Sequence, residues 1–476
     1  MGKPIRPLEP RCRCPLAPDT GRGDNGTSAH HMRTDRSSFP TGKPPHPNPL
    51  PLRGRGGILN LRRSSSLRSM KPTLPLTTAL ALLAPVAHAT DLGALGDLTG
   101  NYRNLLFGSH TYACPPLTGP STTRQEGDLN RLRLELHGRS DGWSWEGVYD
   151  LNLDRQMAGP TAAVTTPATW LDLDDLLKKT SRDLWRHNLY RLNLSYETED
   201  WRITAGRQRI GWGSALFWHP TDRFNPVPPE ALEPDDKTGV DALYAEWRFT
   251  GFATLQMVAA PANAARSTGR KWALRLRDTL GETDAALMAG QFGPEGVIGI
   301  DAVSNVGDAA ARIEATAVWP DRVALNTPTL TTRNADPYQQ IALGIDNTFV
   351  SESMPQGLYT AIEYFYNGAA TLSVGVPVLP LNLLAGRLDS PLRHQIALSL
   401  GYDLHPLLRL EGVGIEGWDH TGGQLLKSHL LMPRLVWSAR ANLEVVAGGI
   451  RYRLVHPAIP SPGGYDLLYS RLEFFF

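Results

Sequence analysis

The chain has 476 residues, 20% of them charged and 41% apolar, with 48 Lys+Arg against 47 Asp+Glu and three cysteines. The near-balance hides an asymmetry: residues 1–89 hold 14 of the basic side chains and 4 of the acidic ones, leaving 34 against 43. That remainder is acidic, near −9, which speaks against a nucleic-acid partner, and its single cysteine, Cys114, excludes an internal disulfide.

Residues 1–69 are rich in Arg, Pro and Gly and carry no apolar period. Such a stretch cannot bury enough surface to offset its ordering entropy, so it reads as a misassigned upstream extension or a disordered arm. At Met70 the character changes. Lys71 gives a basic start, Leu74 to Val86 an apolar core, and Ala87-His88-Ala89 a small-x-small site. This is the layout of a secretory signal peptide over 70–89, cut between Ala89 and Thr90. The mature domain is then 90–476. It holds no apolar run of about 18–20 residues, so no helix in it is expected to span a membrane.

Eighteen strand candidates follow: 98–107, 128–138, 142–154, 187–197, 201–213, 240–249, 252–260, 270–279 and 283–291 in the first half. The second half holds 296–304, 309–319, 339–350, 357–367, 394–404, 407–418, 428–438, 441–453 and 465–476. Alternation is clearest in DLNRLRLELHG, which sets Leu132, Leu134 and Leu136 against Arg131, Arg133 and Glu135. GWSWEGVYDLNLD sets Trp143, Trp145, Tyr149 and Leu151 against Ser144, Glu146 and Asp150. KWALRLRD sets Trp272, Leu274 and Leu276 against Lys271, Arg275 and Arg277. A strand between lipid and a watery lumen has this period of two.

Short links, such as 138–142, 250–251 and 439–440, alternate with long ones near 155–186, 214–239, 320–338 and 368–393. Short turns at one end and long loops at the other are the asymmetry of an outer-membrane barrel. The expected fold is therefore all-β: a closed antiparallel transmembrane barrel of about 18 strands. The count is 16 if the weak first strand and the Gly-rich 296–304 are lost. Trp143, Trp201, Trp247, Trp272, Trp319, Trp418 and Trp437 mark strand ends, as interfacial belts do. Residues 171–185, LDLDDLLKKTSRDLW, read as a helix inside a long loop.

The most distinctive segment runs from Trp201 to Trp247. Strict alternation from Trp201 and Ile203 would turn Arg207 and Arg209 toward lipid, at about 2–4 kcal/mol for an arginine at the midplane. A bulge near Gly206 is expected to turn both inward. Glu230, Glu233, Asp235 and Asp236, with Asp222 closer, would partner them if loop 214–239 folds into the barrel mouth as a constriction. The expected lumen set is Arg131, Arg133, Arg191, Arg207, Arg209, Arg275, Arg277 and Arg312. Glu135, Glu146, Asp150, Glu246, Glu314 and Glu363 oppose it.

The last residues, YDLLYSRLEFFF, place Leu468, Leu472, Phe474 and Phe476 on one face and Tyr469, Arg471 and Glu473 on the other. This strand resembles the closing strand of Gram-negative outer-membrane barrels. The resemblance implies that Leu472, Phe474 and Phe476 address the barrel-assembly machinery. The runs GRQRIGWG (206–213), FWHPTDRFNP (217–226) and GVDA (239–242) resemble a group of porin-like outer-membrane proteins in the style of alginate-export and substrate-selective porins. That resemblance implies an 18-stranded barrel passing or holding an elongated polar solute.

The expected function is a diffusion or export channel for small or elongated polar or charged solutes, touching outer-membrane lipid and lipopolysaccharide, with no cofactor and no metal. One alternative is a non-conducting barrel that binds or anchors surface polysaccharide. Another is a hydrolase in which Asp419-His420 activates water, although the dipeptide also fits turn chemistry.

Overall fold

The computed structural model describes residues 90–112, 123–158, 169–229, 231, 237, 239–261, 270–320, 336–370, 392–421, 424–455 and 463–476. The upstream extension, the signal segment with Ala89, and Glu230, Glu233, Asp235 and Asp236 lie outside the described residues.

A strand with one apolar and one polar face leaves its backbone edges unpaired, and closing the sheet removes the edges. Among the described residues twenty strands form a single sheet. The first ten are β1 (Thr90–Asp91), β2 (Asp97–Tyr112), β3 (Thr123–Ser140), β4 (Trp143–Ala158), β5 (Asp174–Lys179), β6 (Asp183–Glu197), β7 (Trp201–Gln208), β8 (Val240–Thr250), β9 (Ala253–Ala260) and β10 (Lys271–Leu280). The rest are β11 (Thr283–Phe292), β12 (Glu295–Val306), β13 (Ala309–Pro320), β14 (Tyr338–Ser351), β15 (Met354–Asn367), β16 (His394–His405), β17 (Leu408–Thr421), β18 (Gln424–Arg440), β19 (Leu443–Val455) and β20 (Gly463–Phe475).

Strands β1 and β5 are accessory. The other eighteen pair antiparallel in succession, and β20 pairs with β2 from Asn101↔Phe475 to Tyr112↔Gly464, closing the barrel. Phe476 extends the seam: the Gly100 N–H donates to its carbonyl at 2.8 Å, and its own N–H donates to the Gly100 carbonyl at 2.9 Å. Eighteen strands enclose more space than wall side chains alone can fill. The eighteen strands read from the sequence are these eighteen.

Alternation sorts the side chains. Trp272, Leu274 and Leu276 on β10, Leu343 and Ile345 on β14, and Ile362 on β15 are exposed, whereas Ala273, Ala342, Ala361 and Glu363 between them are buried. The first set faces outward and the second faces the lumen. Trp143, Trp201, Trp247 and Trp437 stand exposed beside short turns, and Trp272 and Trp319 stand exposed at the other end. On β20, Leu468 is outward and Glu473 buried.

Two local expectations fail. Residues 171–185 form no helix: 174–179 is strand β5, paired with β6 from Asp174↔Asn188 to Lys179↔Leu184. Strand β7 ends at Gln208, not 213, and leaves the upper edge of β6 unpaired. Segment 174–179 fills that edge, and the pairing overrides a local helical pattern. Nor does β7 bulge near Gly206, because both of its ladders run through to Arg207 in unbroken register.

Candidate functional site

The site begins where the chain leaves the wall. Gly206 has φ +115°, and a Cβ there would collide with the Leu192 carbonyl, so only glycine fits this exit. The next residue, Arg207, is buried in the wall. It donates from Nε to Asp241 at 2.9 Å, from Nη1 to the Leu189 carbonyl at 2.9 Å, and from Nη2 to the Leu171 carbonyl at 2.6 Å and Thr169 at 2.9 Å. Asp241, its partner across the ladder, also accepts the Leu171 N–H at 2.8 Å. One guanidinium thus joins β6, β7, β8 and the chain entering β5. Instead of turning into the lumen, Arg207 fastens the junction. Arg209 is exposed and has no partner among the described residues.

Beyond this junction the segment reaches the inner wall of β12 to β15. Glu363 on β15, fully buried, accepts three successive backbone N–H groups: Leu216 at 2.6 Å, Phe217 at 3.1 Å and Trp218 at 2.9 Å. Glu314 on β13, equally buried, accepts the Ala215 N–H at 2.7 Å, the Thr221 N–H at 3.1 Å and the Thr221 hydroxyl at 2.6 Å. Ser214 donates to Asp301 at 2.5 Å, and Arg312 donates to the Ser214 carbonyl at 3.2 Å. Gly213, at φ +101°, has no room for a Cβ against the Glu314 carboxylate. Trp218 stacks on Phe365 with centroids 5.3 Å apart, and Trp212 meets Phe224 edge-on at 5.3 Å. The expected polarity is reversed here: wall carboxylates hold loop backbone.

His219 and Lys237 sit on this segment. Lys237 pairs with the buried Asp222 at 2.5 Å, and His219 Nδ1 lies 3.5 Å from Glu314. Burial pulls the imidazole pKa down, but the Glu314 carboxylate outweighs it and leaves the value above the ordinary 6.5.

Across from the segment remains a cavity of about 290 Å³. Its loop side includes Phe217, His219, Pro228 and Lys237, and its wall side Tyr359, Arg409, Glu411, Arg434 and Tyr469. Glu411 is held between two guanidiniums: Arg409 donates to it at 2.7 Å and Arg434 from Nε on the next strand. Arg409 also pairs with Asp403 at 3.1 Å. A second space of about 240 Å³ lies between Gly211–Ser214 and the wall at Arg275, Arg277, Asp284 and Asp301.

The other lumen candidates fall into cross-strand pairs. Arg133 binds Asp150 through two bonds of 2.6 and 2.7 Å, Arg191 binds Glu146 at 3.1 Å, Arg275 binds Asp301 at 2.6 Å, and Arg312 binds Asp346 at 2.8 Å. Arg277 meets Asp284 at 3.3 Å near a short turn. Glu135 lies 3.5 Å from His137, and Glu246 accepts from Tyr244, Arg248 and Gln256. Arg131 is half-buried on the inner face of β3. Asp419 and His420 are consecutive residues of β17, so they face opposite sides of the wall and form no catalytic pair. Asp419 is buried and His420 exposed. Among the described residues no group of His, Cys, Asp and Glu could hold a metal. Arg409, Glu411 and Arg434 escaped the sequence reading, although the alternation in LRLEG already turned Arg409 and Glu411 to one face.

The fold is a closed barrel like those of porins. A BenF-like porin from Pseudomonas fluorescens Pf-5 is similar at a TM-score of 0.51 and 11% identity, over 81% of this chain and 100% of that one. OccAB2 of Acinetobacter baumannii is similar at 0.50 and 9% identity, over 81% and 100%. OccK8 (OprE) of Pseudomonas aeruginosa gives 0.49 and 9% identity, over 80% and 98%. At such identities the likeness is one of fold. No protein-family model and no curated protein matches the chain.

Proposed function

We propose that the chain is an outer-membrane diffusion channel for small polar or charged solutes, exported by the signal segment 70–89. Segment 209–229 narrows its pore, and solute passes between that segment and the wall formed by β15 to β20. The observation that carries this reading is the tethered segment itself. It is fixed to one side of the lumen by Glu314 and Glu363, and it leaves a lined space on the other side.

The size of that space bears on the solute. At about 290 Å³ it lies at the small end of the ~300–1,000 Å³ of ligand sites, which suits single small molecules better than a passing polysaccharide. Arg409, Arg434, Lys237 and His219 set donors and positive charge around one carboxylate, Glu411. Facing groups of opposite sign select by charge and orientation. The remaining arginine–carboxylate pairs form a ladder that keeps the lumen wet while its net charge stays small.

Purified protein refolded into a planar lipid bilayer tests the reading. Discrete conductance steps are expected, larger in a variant lacking 214–229. A folded, heat-modifiable barrel that gives no steps at any voltage would overturn the channel and leave the non-conducting polysaccharide barrel.

A further inference from the structure

At the rim that carries the long connections, the outer faces of β10, β13 and β15 to β17 end in aromatic side chains. Trp319 stands there on β13, and Tyr364, His394 and Trp418 stack in sequence on β15 to β17. On β18, β19, β20 and β2 the pattern changes. In register, His429 faces Arg453, Arg453 faces Gly464, and Gly464 faces Tyr112. In the next row Arg451 faces Asp466, Asp466 faces His110, and His110 faces Arg124. Lys427 stands two residues from His429 on the same face. Leu431, exposed on that face, pairs with Arg451 across the ladder and exposed Leu468 lies one row below Asp466, while Ile450 and Leu454, alternate to the arginines, are buried inside. These cations are therefore on the outside of the barrel.

Their height explains why the fold tolerates them. Arg451 and Arg453 come four and two residues before the end of β19, Lys427 three after the start of β18, and His110 two before the end of β2. Lipid-facing cations cost ~2–4 kcal/mol at the midplane but ~0–1 near the interface.

The charges are unequally compensated. Asp466 accepts two bonds of 2.8 Å from Arg453 and one of 2.8 Å from the Tyr112 hydroxyl. Arg453 lies over the Tyr112 ring at 4.5 Å and donates to the carbonyls of Tyr452 and Tyr465. Arg453 is thereby built into the wall. Arg451 keeps one bond to Asp466, at 3.0 Å, with its side chain 67% exposed. Lys427 is exposed and has no partner among the described residues.

We propose that this face binds the phosphorylated glucosamine headgroup of outer-leaflet glycolipid, with Arg451 and Lys427 on phosphate and acyl chains over Leu431 and Leu468. The proposal rests on the outer-membrane reading above. Arginine meets phosphate oxygens through charge-assisted, often paired bonds, and basic surfaces at a membrane interface recruit anionic headgroups. The aromatic rim begins on the adjoining strand β17, where outward Glu416 pairs with His429 and leaves Lys427 and Arg451 for the headgroup.

The test titrates bisphosphorylated lipid A, and the same lipid with both phosphates removed, into detergent-purified barrel followed by native mass spectrometry. Wild type is expected to bind the phosphorylated form at least tenfold more tightly. Lys427→Ala/Arg451→Ala loses that preference, and Arg451→Gln, which keeps a polar group, loses part of it. Equal binding of both lipids, or unchanged binding in the double variant, overturns the proposal. So does a protein dimer that the same substitutions dissolve, which would assign the face to a second copy. Heat-modifiable gel mobility verifies folding, and conductance of the same samples reports on the channel separately. The two ideas can thus fail independently.

Discussion

On β13 and β15, Glu314 and Glu363 are fully buried and accept hydrogen bonds from residues 215–221 of the segment; on β17 and β18, Glu411 lies between Arg409 and Arg434 against open space. The same kind of side chain thus does two jobs in one lumen. A carboxylate without water needs several donors, because an unsatisfied buried charge is costly. Three successive backbone N–H groups satisfy Glu363 with a geometry no flexible partner would hold, and a fully satisfied buried network is rigid. A carboxylate facing water needs no such shell. Glu411 and its arginines can exchange partners with a passing solute. The lesson is that burial, not residue type, separates the scaffold of the pore from its lining.

The largest expected effect comes from the scaffold side. Glu363→Ala leaves three donors without their acceptor, at roughly 1–3 kcal/mol each while they stay buried. The segment is expected to detach, raising single-channel conductance severalfold and lowering the unfolding temperature in detergent. Unchanged conductance in a folded variant would break the contrast between the two walls. Arg207→Ala comes next. It strands Asp241 at the junction, and removing one partner of a buried pair costs about 3–5 kcal/mol. Chemical unfolding in detergent measures this, and Arg207→Lys is expected to rescue little because a lysine cannot span the four groups that Arg207 joins.

The lining side predicts smaller effects and a change of sign. Glu411→Gln leaves Arg409 and Arg434 in excess, and Arg434→Gln does the opposite. A unit charge at 4 Å in water is worth about 1 kcal/mol, or roughly fivefold in a permeability ratio. Reversal potentials across a salt gradient should move toward anion preference in the first variant and toward cation preference in the second. Shifts of equal sign would show that the cavity is not on the conducting path.

The sequence made the wall legible because a period of two is local: LRLEL and WALRL state which face meets lipid without any partner being known. The closing seam was equally readable in LEFFF. The tether was not. Glu314 and Glu363 were visible as inward carboxylates, but their partners are backbone N–H groups more than ninety residues away, and backbone donors have no sequence signature. The cost of an arginine facing lipid correctly marked Arg207 as needing relief. The relief chosen was a cover built from Thr169 and Leu171 rather than a bulge, which no spacing around Gly206 could reveal. Strand β5 was misread for a related reason: leucines at 171, 173, 176 and 177 fit a helix, and only the edge left by β7 makes a strand the better outcome.

The smallest effect lies where the two walls face each other, at His219. Its pKa is raised above 6.5 because Glu314 outweighs burial and the opposing charge of Lys237. The group thus binds its proton more tightly in the folded loop than in the free chain. Stabilisation from this pair is fully present below the unperturbed value of about 6.5 and is lost as pH rises through the raised one. Alkaline pH is therefore expected to loosen the segment near Trp218 while Glu363 still holds it, so that current noise grows and mean conductance changes little. His219→Gln should flatten that dependence, because glutamine keeps a donor but has no proton to lose. A pH-dependent noise profile surviving in His219→Gln would assign the titration to another group.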